Sequence, residues 1–196
     1  MFNMKNLMTR ALLALALSFG AGAAMAGPTY HIAIDTADYA GTRGYLDLSM
    51  VALGDAAPAF AMLHNFTGNF LGAALVEGSA SGDVNAGVLL GNSELVNAFS
   101  ALVDFGGLFS FDIRFDLDDG AVGSTFSVAL FNEAFDNYVG IQGSLLDVAL
   151  QPGEAPAFVP NSSLVAAGEV PEPATLASLA LGLALMGSTL RARRKQ

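Results

Sequence analysis

The chain has 196 residues, no cysteine, no tryptophan and a formal charge of −10. Without cysteine there is no disulfide framework, no thiolate metal site and no thiol nucleophile. Between Gly27 and Val170 the charge is more one-sided, with 17 acidic residues against Arg43 and Arg114, a net of −15, and such a surface repels nucleic acid and anionic lipid.

At the N-terminal end, Lys5 and Arg10 precede an apolar stretch, Ala11–Phe19, and a run of small residues closing on Ala24-Met25-Ala26. A basic start, a short apolar run and a small-x-small site predict a secretory signal peptide over 1–26, with Ala24 and Ala26 as the recognition pair and Gly27 as the mature start. Signal peptidase is the implied partner.

The middle reads as strands. Tyr30, Ile32 and Ile34 share one face of a segment ending at Asp35, and a Gly- and Asp-rich loop runs from Thr36 to Gly44. Leu46, Leu48, Met50 and Ala52 share a face of 45–53, opposite Tyr45, Asp47 and Ser49. After Gly54-Asp55 and Pro58, the segment 59–67 puts Phe60, Met62, His64 and Phe66 together. That company predicts an inward face and a partly buried imidazole for His64, while His31 falls on a polar face. Residues 70–77 form a weaker strand with Gly72 as a bulge. Gly78–Gly82 is expected as a turn, and 83–90 as a strand with Val84, Ala86, Val88 and Leu90 on one side.

The period then changes. Leu95, Val96, Phe99, Leu102 and Val103 recur at helical spacing between Asn92-Ser93 and Gly106-Gly107, which predicts one short helix. Alternation resumes with Phe109, Phe111, Ile113, Phe115 and Leu117, then Phe126, Val128 and Leu130, then Leu146, Val148 and Leu150. Seven or eight short alternating segments punctuated by Gly, Asp, Asn and Pro predict an all-β antiparallel β-sandwich or jelly roll over 27–152, followed by a linker over 153–169.

Candidate chemistry is sparse. Asp112, Asp116, Asp118 and Asp119 form the densest acidic group, ending at Gly120, and hard oxygen ligands near a turn are a weak candidate for Ca²⁺. The spacing departs from an EF-hand loop, and a solvated strand face is the plainer account. Asp35, Asp38 and Asp47 form a looser second group. Two separated histidines offer no zinc-site spacing, and no G-x-S-x-G elbow or phosphate loop is present. The 14 Phe read mainly as core, and Tyr39, Tyr45 and Tyr138 are the aromatic residues expected near loops at the surface. No catalytic residue and no cofactor are assigned.

The last stretch, 170–196, has three parts. Val170-Pro171-Glu172-Pro173 holds the chain extended. The run Ala174–Leu190 contains 17 residues and no charge, giving about 26 Å of helix at ~1.5 Å per residue, slightly short of a hydrocarbon core of about 30 Å. Arg191, Arg193, Arg194 and Lys195 close it with a basic tail that favours the cytoplasmic side. This order of parts resembles the PEP-CTERM sorting signal of exported Gram-negative proteins. The resemblance implies exosortase as a processing partner, acting near Pro171-Glu172-Pro173. It also implies transient inner-membrane anchoring, then placement at the cell surface or in an exopolysaccharide matrix or biofilm. The middle is also similar to small PEP-CTERM proteins, through Ile34-Asp35-Thr36, Gly41-Thr42-Arg43-Gly44-Tyr45-Leu46-Asp47, Asn65-Phe66-Thr67-Gly68, Phe109-Ser110-Phe111-Asp112 and Gly123-Ser124-Thr125-Phe126. The leading expectation is a non-enzymatic surface or matrix protein that meets extracellular polysaccharide. A glycan- or Ca²⁺-binding sandwich module comes second, and a hydrolase of matrix polymer third.

Overall fold

The computed structural model describes residues 27–52, 54–171 and 182. The signal peptide, Glu172, Pro173, the basic tail and the expected membrane helix apart from Gly182 lie outside the described residues. Among the described residues no helix is long and apolar enough to cross a membrane.

The period-two pattern becomes twelve strands. In chain order they are β1 (Thr29–Asp35), β2 (Arg43–Ala52), β3 (Ala59–Thr67), β4 (Phe70–Glu77), β5 (Ala80–Asp83) and β6 (Gly87–Gly91). They continue with β7 (Val96–Asp104), β8 (Leu108–Leu117), β9 (Ser124–Asn132), β10 (Leu146–Leu150), β11 (Ala157–Pro160) and β12 (Val165–Val170). Every pairing is antiparallel. Sheet A runs β12-β1-β8-β3-β6-β5 and sheet B runs β11-β10-β9-β2-β7-β4, six strands each. The inner faces meet in one core. Ile32, Ile34, Leu63, Leu90, Phe109, Phe111 and Ile113 come from sheet A, and Leu46, Leu48, Met50, Phe99 and Phe126 from sheet B, all essentially buried. Fully burying such a side chain stabilises by roughly 1.5–3 kcal/mol, so the alternation is what specifies the sandwich.

The loop after β1 is tied down by Thr36, which is fully buried. Its Oγ1 donates to the Gly107 carbonyl at 2.8 Å and accepts from the Gly106 amide at 3.1 Å. Gly72, at φ +77°, sits where the β4–β7 register slips, as its predicted bulge requires.

Four expectations are corrected. The segment read as a helix is β7, paired along its length with β2 and β4. Asn97, Phe99, Ala101 and Val103 face the core, while Val96, Ala98, Ser100 and Leu102 form the other face, where Ala98 and Ser100 are also buried. A strand with apolar residues on both faces loses the alternation that identifies strands. In the stretch read as a linker, 153–169, with room for one edge strand over Phe158–Val165 at most, the structure has β11 and most of β12, which close the same edge of the two sheets. The turn expected at Gly78–Gly82 already contains the start of β5, which forms a hairpin with β6. In β3, Ala59, Ala61 and Leu63 face inward, so His64 is exposed and Phe60 is 42% exposed. The strand slips register after His64, and Asn65 adopts φ +55°. That break returns Phe66 to the interior, where it stacks on Phe111.

Candidate functional site

The outer face of sheet A carries the acidic residues singled out above. Asp112 on β8 lies in register with His31 on β1 and His64 on β3, so both histidines of the chain flank one carboxylate. His31 Nδ1 lies 2.7 Å from Asp112 Oδ1, and Asn65 Nδ2 donates to Oδ2 at 2.8 Å. Burial pulls the Asp112 carboxyl upward, but the bonds from Asn65 and His31 and the charges of His31 and His64 together bring it below its ordinary value. Asp116 is four residues further along the same face, about 13 Å at ~3.3 Å per residue, and Asp118 and Asp119 lie beyond the strand end. Oxygens on one Ca²⁺ stand 2.3–2.6 Å from the ion. Asp112 and Asp116 therefore cannot share one, and the four-aspartate candidate is not assembled. Among the described residues no group of three His, Asp or Glu side chains is placed to hold a metal. Asp35 and Asp38 are exposed, whereas Asp47 lies on the other sheet.

The outer face of sheet B is different in kind. Antiparallel register sets Asp47 on β2 beside Ser100 on β7 and Ala129 on β9, with Leu75 of β4 beyond Ser100. The neighbouring row holds Asp147, Ser127, Ser49, Ala98 and Glu77. Asp47 faces away from the core, yet it is only 8% exposed. Ser100 Oγ donates to Asp47 Oδ1. Burial pushes the Asp47 carboxyl up, hydrogen bonds from Ser100 and Ser49 pull it back, and the charge of Glu77 adds to the rise, with a net increase.

The loop after β9 contributes one wall of a groove that Asp47 also lines. Asn132 organises that loop, accepting on Oδ1 from the amides of Asp136 and Asn137 and donating through Nδ2 to Asp136 at 2.7 Å. Phe135 takes φ +59°, a conformation that costs an L residue roughly 1–2 kcal/mol. Its ring stacks on Phe131 with centroids 4.4 Å apart and meets Tyr45 edge-on at 5.1 Å. Tyr138 packs on the Phe131 ring at 4.5 Å. The result is a groove of about 420 Å³ with Asp47, Ser49 and Ser100 among its lining, Phe131 and Phe135 on the β9 side, and Leu75 and Glu77 on the β4 side.

The chain ends form the third feature. Thr29 pairs with Val170 across β1 and β12. The folded unit Pro28–Val170 therefore begins and ends on neighbouring strands, two residues after Ala26 and one before Pro171. Of the sorting residues, Val170 and Pro171 are described; Glu172, Pro173, Arg191, Arg193, Arg194 and Lys195 are outside the described residues, as are Ala24 and Ala26. Residues 169–195 match the family described as the PEP-CTERM protein-sorting motif. The chain carries a PEP-CTERM sorting signal. No curated protein and no solved structure is similar enough to match the chain. The PEP-CTERM motif implies an exported protein that exosortase processes and sorts to the cell surface.

Sequence reasoning identified the PEP-CTERM signal because all its parts are contiguous. It missed the groove on sheet B, whose members lie on β2, β4, β7 and the β9 loop. The available signal was a charged residue, Asp47, at the centre of a strand whose inner face is wholly apolar.

Proposed function

We propose that this is a non-enzymatic surface or matrix protein of a Gram-negative cell, delivered as a folded sandwich and separated from its membrane tail by exosortase near Pro171-Glu172-Pro173. Association with extracellular polysaccharide completes the reading. The observation that supports it is the pairing of Thr29 with Val170, directly at the start of the PEP-CTERM match. Because β12 continues to Val170, the sorting motif begins where the fold stops, so cutting there releases the whole sandwich and removes none of its strands. The acidic surface, with net charge −15 between Gly27 and Val170, keeps the released domain soluble and off anionic lipid.

The test is Glu172→Ala expressed in a host that makes exosortase. Intact mass of the membrane fraction is expected to retain the tail through Gln196, with no product at the cell surface. Normal shortening of the variant would remove the motif from the account.

A further inference from the structure

We infer that the groove on the outer face of sheet B is a binding site for a primary ammonium group carried on a compact apolar body, such as an aralkylamine. The inference goes beyond the sorting role and does not depend on it.

The lining decides the ligand class through its hydrogen-bonding capacity. Its polar side chains are Asp47, Glu77, Ser49 and Ser100; the others are Val51, Leu75, Val76, Val96, Ala98, Phe131 and Phe135. Each serine hydroxyl has one hydrogen; Ser100 gives its own to Asp47, and Ser49 stands close to the same carboxylate. The amides of β2 and β7 beneath are engaged in the ladders of sheet B. The side chains of the groove therefore present two carboxylates and, at most, the Ser49 hydroxyl as a donor. An anion meets two carboxylates. A neutral polyol can give its hydrogens to those carboxylates, but its several oxygens then share at most one donor, and each one left buried without a partner costs about 1–3 kcal/mol. An ammonium group has three donors and no acceptor, so it alone is fully satisfied.

Charge points the same way. Asp47 is 8% exposed, and among the described residues it has no salt-bridge partner. Arg43 lies four residues before it on the same strand face and is committed to Asp104 at 2.9 Å and Glu133 at 3.6 Å. A buried carboxylate without a cationic partner is unfavourable for the fold, and a ligand cation removes that penalty. The Phe131 and Phe135 rings on the β9 side supply apolar contact. Phe135 reaches this position only through a left-handed backbone, a local strain of the kind that collects at ligand sites.

The test is titration calorimetry on the full-length protein in non-ionic detergent with glucosamine, benzylamine, N-acetylglucosamine and glucuronate. Benzylamine is expected to saturate one site per chain, while N-acetylglucosamine and glucuronate release no binding heat. Glucosamine, whose hydroxyls meet the same shortage of donors as a neutral polyol, is expected to bind more weakly than benzylamine. Asp47→Asn is expected to weaken the amine at least tenfold with the fold retained, and Glu77→Gln, at an exposed position, to weaken it severalfold. The inference is overturned by absence of amine binding, by equal binding of N-acetylglucosamine, or by undiminished amine binding to both variants. Tail processing is read separately by mass, so this failure is distinguishable from failure of the sorting reading.

Discussion

Asp47→Asn tests whether the centre of sheet B is held at an energetic disadvantage. Asp47 is 8% exposed and bonded to Ser100, with Glu77 close enough to raise its proton affinity. Taking a carboxylate out of water costs several kcal/mol, and the Ser100 hydroxyl donating to a charged acceptor returns roughly 1.5–3 kcal/mol. The upward direction of the Asp47 proton affinity puts burial ahead of the hydrogen bonding. Asparagine keeps the shape and an acceptor for Ser100 while removing the charge. Because the folded value lies above the unfolded one, the stabilising contribution of Asp47 is complete below the unfolded value, about 3.9, and is lost as pH rises through the folded value. At pH 7 the variant is therefore expected to be more stable by on the order of 1 kcal/mol, or about 3 °C in Tm for a domain of this size. Thermal unfolding by circular dichroism, on both proteins across acid to neutral pH, reads this directly. The gap should close as pH falls toward 3. A variant less stable than the parent at pH 7 would refute the reasoning, because the serine bonds would then outweigh burial.

The opposite sign is expected at Asp112→Asn. The folded value of Asp112 is lowered, so its contribution is present above the unfolded value and lost as pH falls through the folded one; the variant should lose about 1 kcal/mol at pH 7 and little at pH 2, by the same unfolding series. Gly44→Ala places a Cβ 2.0 Å from the Phe131 carbonyl oxygen and 2.6 Å from the Phe105 ring, and a destabilisation of about 3 kcal/mol or more is expected in urea unfolding. A chain spanning 27–170 should unfold in one sharp transition, whereas one spanning 27–152 loses β11 and β12, leaves β1 without its six paired partners, and should show broad or no cooperative unfolding.

The sandwich was legible because its inner residues alternate cleanly. Ile32 and Ile34, Leu46 to Met50, Phe109 to Phe115 and Phe126 to Leu130 all face the core as read. Four features were not legible, each for a physical reason. β7 carries apolar residues on both faces, so they ceased to alternate, and Leu95, Val96, Phe99, Leu102 and Val103 took on helical spacing by coincidence. Asn97 in its inward row is an amide held by the Met50 and Glu94 carbonyls at 3.0 and 2.8 Å, a polar residue that breaks an apolar stripe without breaking the strand. β12 reads Val-Ala-Ala-Gly-Glu-Val, and an edge strand with four exposed residues needs no apolar pattern beyond Val165. His64 was placed on the wrong face because Phe66 lies inward, and only the slip after His64 allows both facts. The groove depends on register across four strands, which no linear pattern contains. The sorting motif needed none of this, since its order is its signal.

The central claim is that the sandwich ends at Val170 and the tail beyond it is a removable handle. The most direct measurement is the intact mass of the protein recovered from the cell surface or medium of an exosortase-bearing host, with both termini sequenced. The account predicts a chain that starts at Gly27, ends at or shortly after Val170 within the Pro171-Glu172-Pro173 region, and lacks Arg191–Lys195. A surface product that keeps the basic tail, or one cut inside Val165–Glu169 and so missing part of β12, would contradict it.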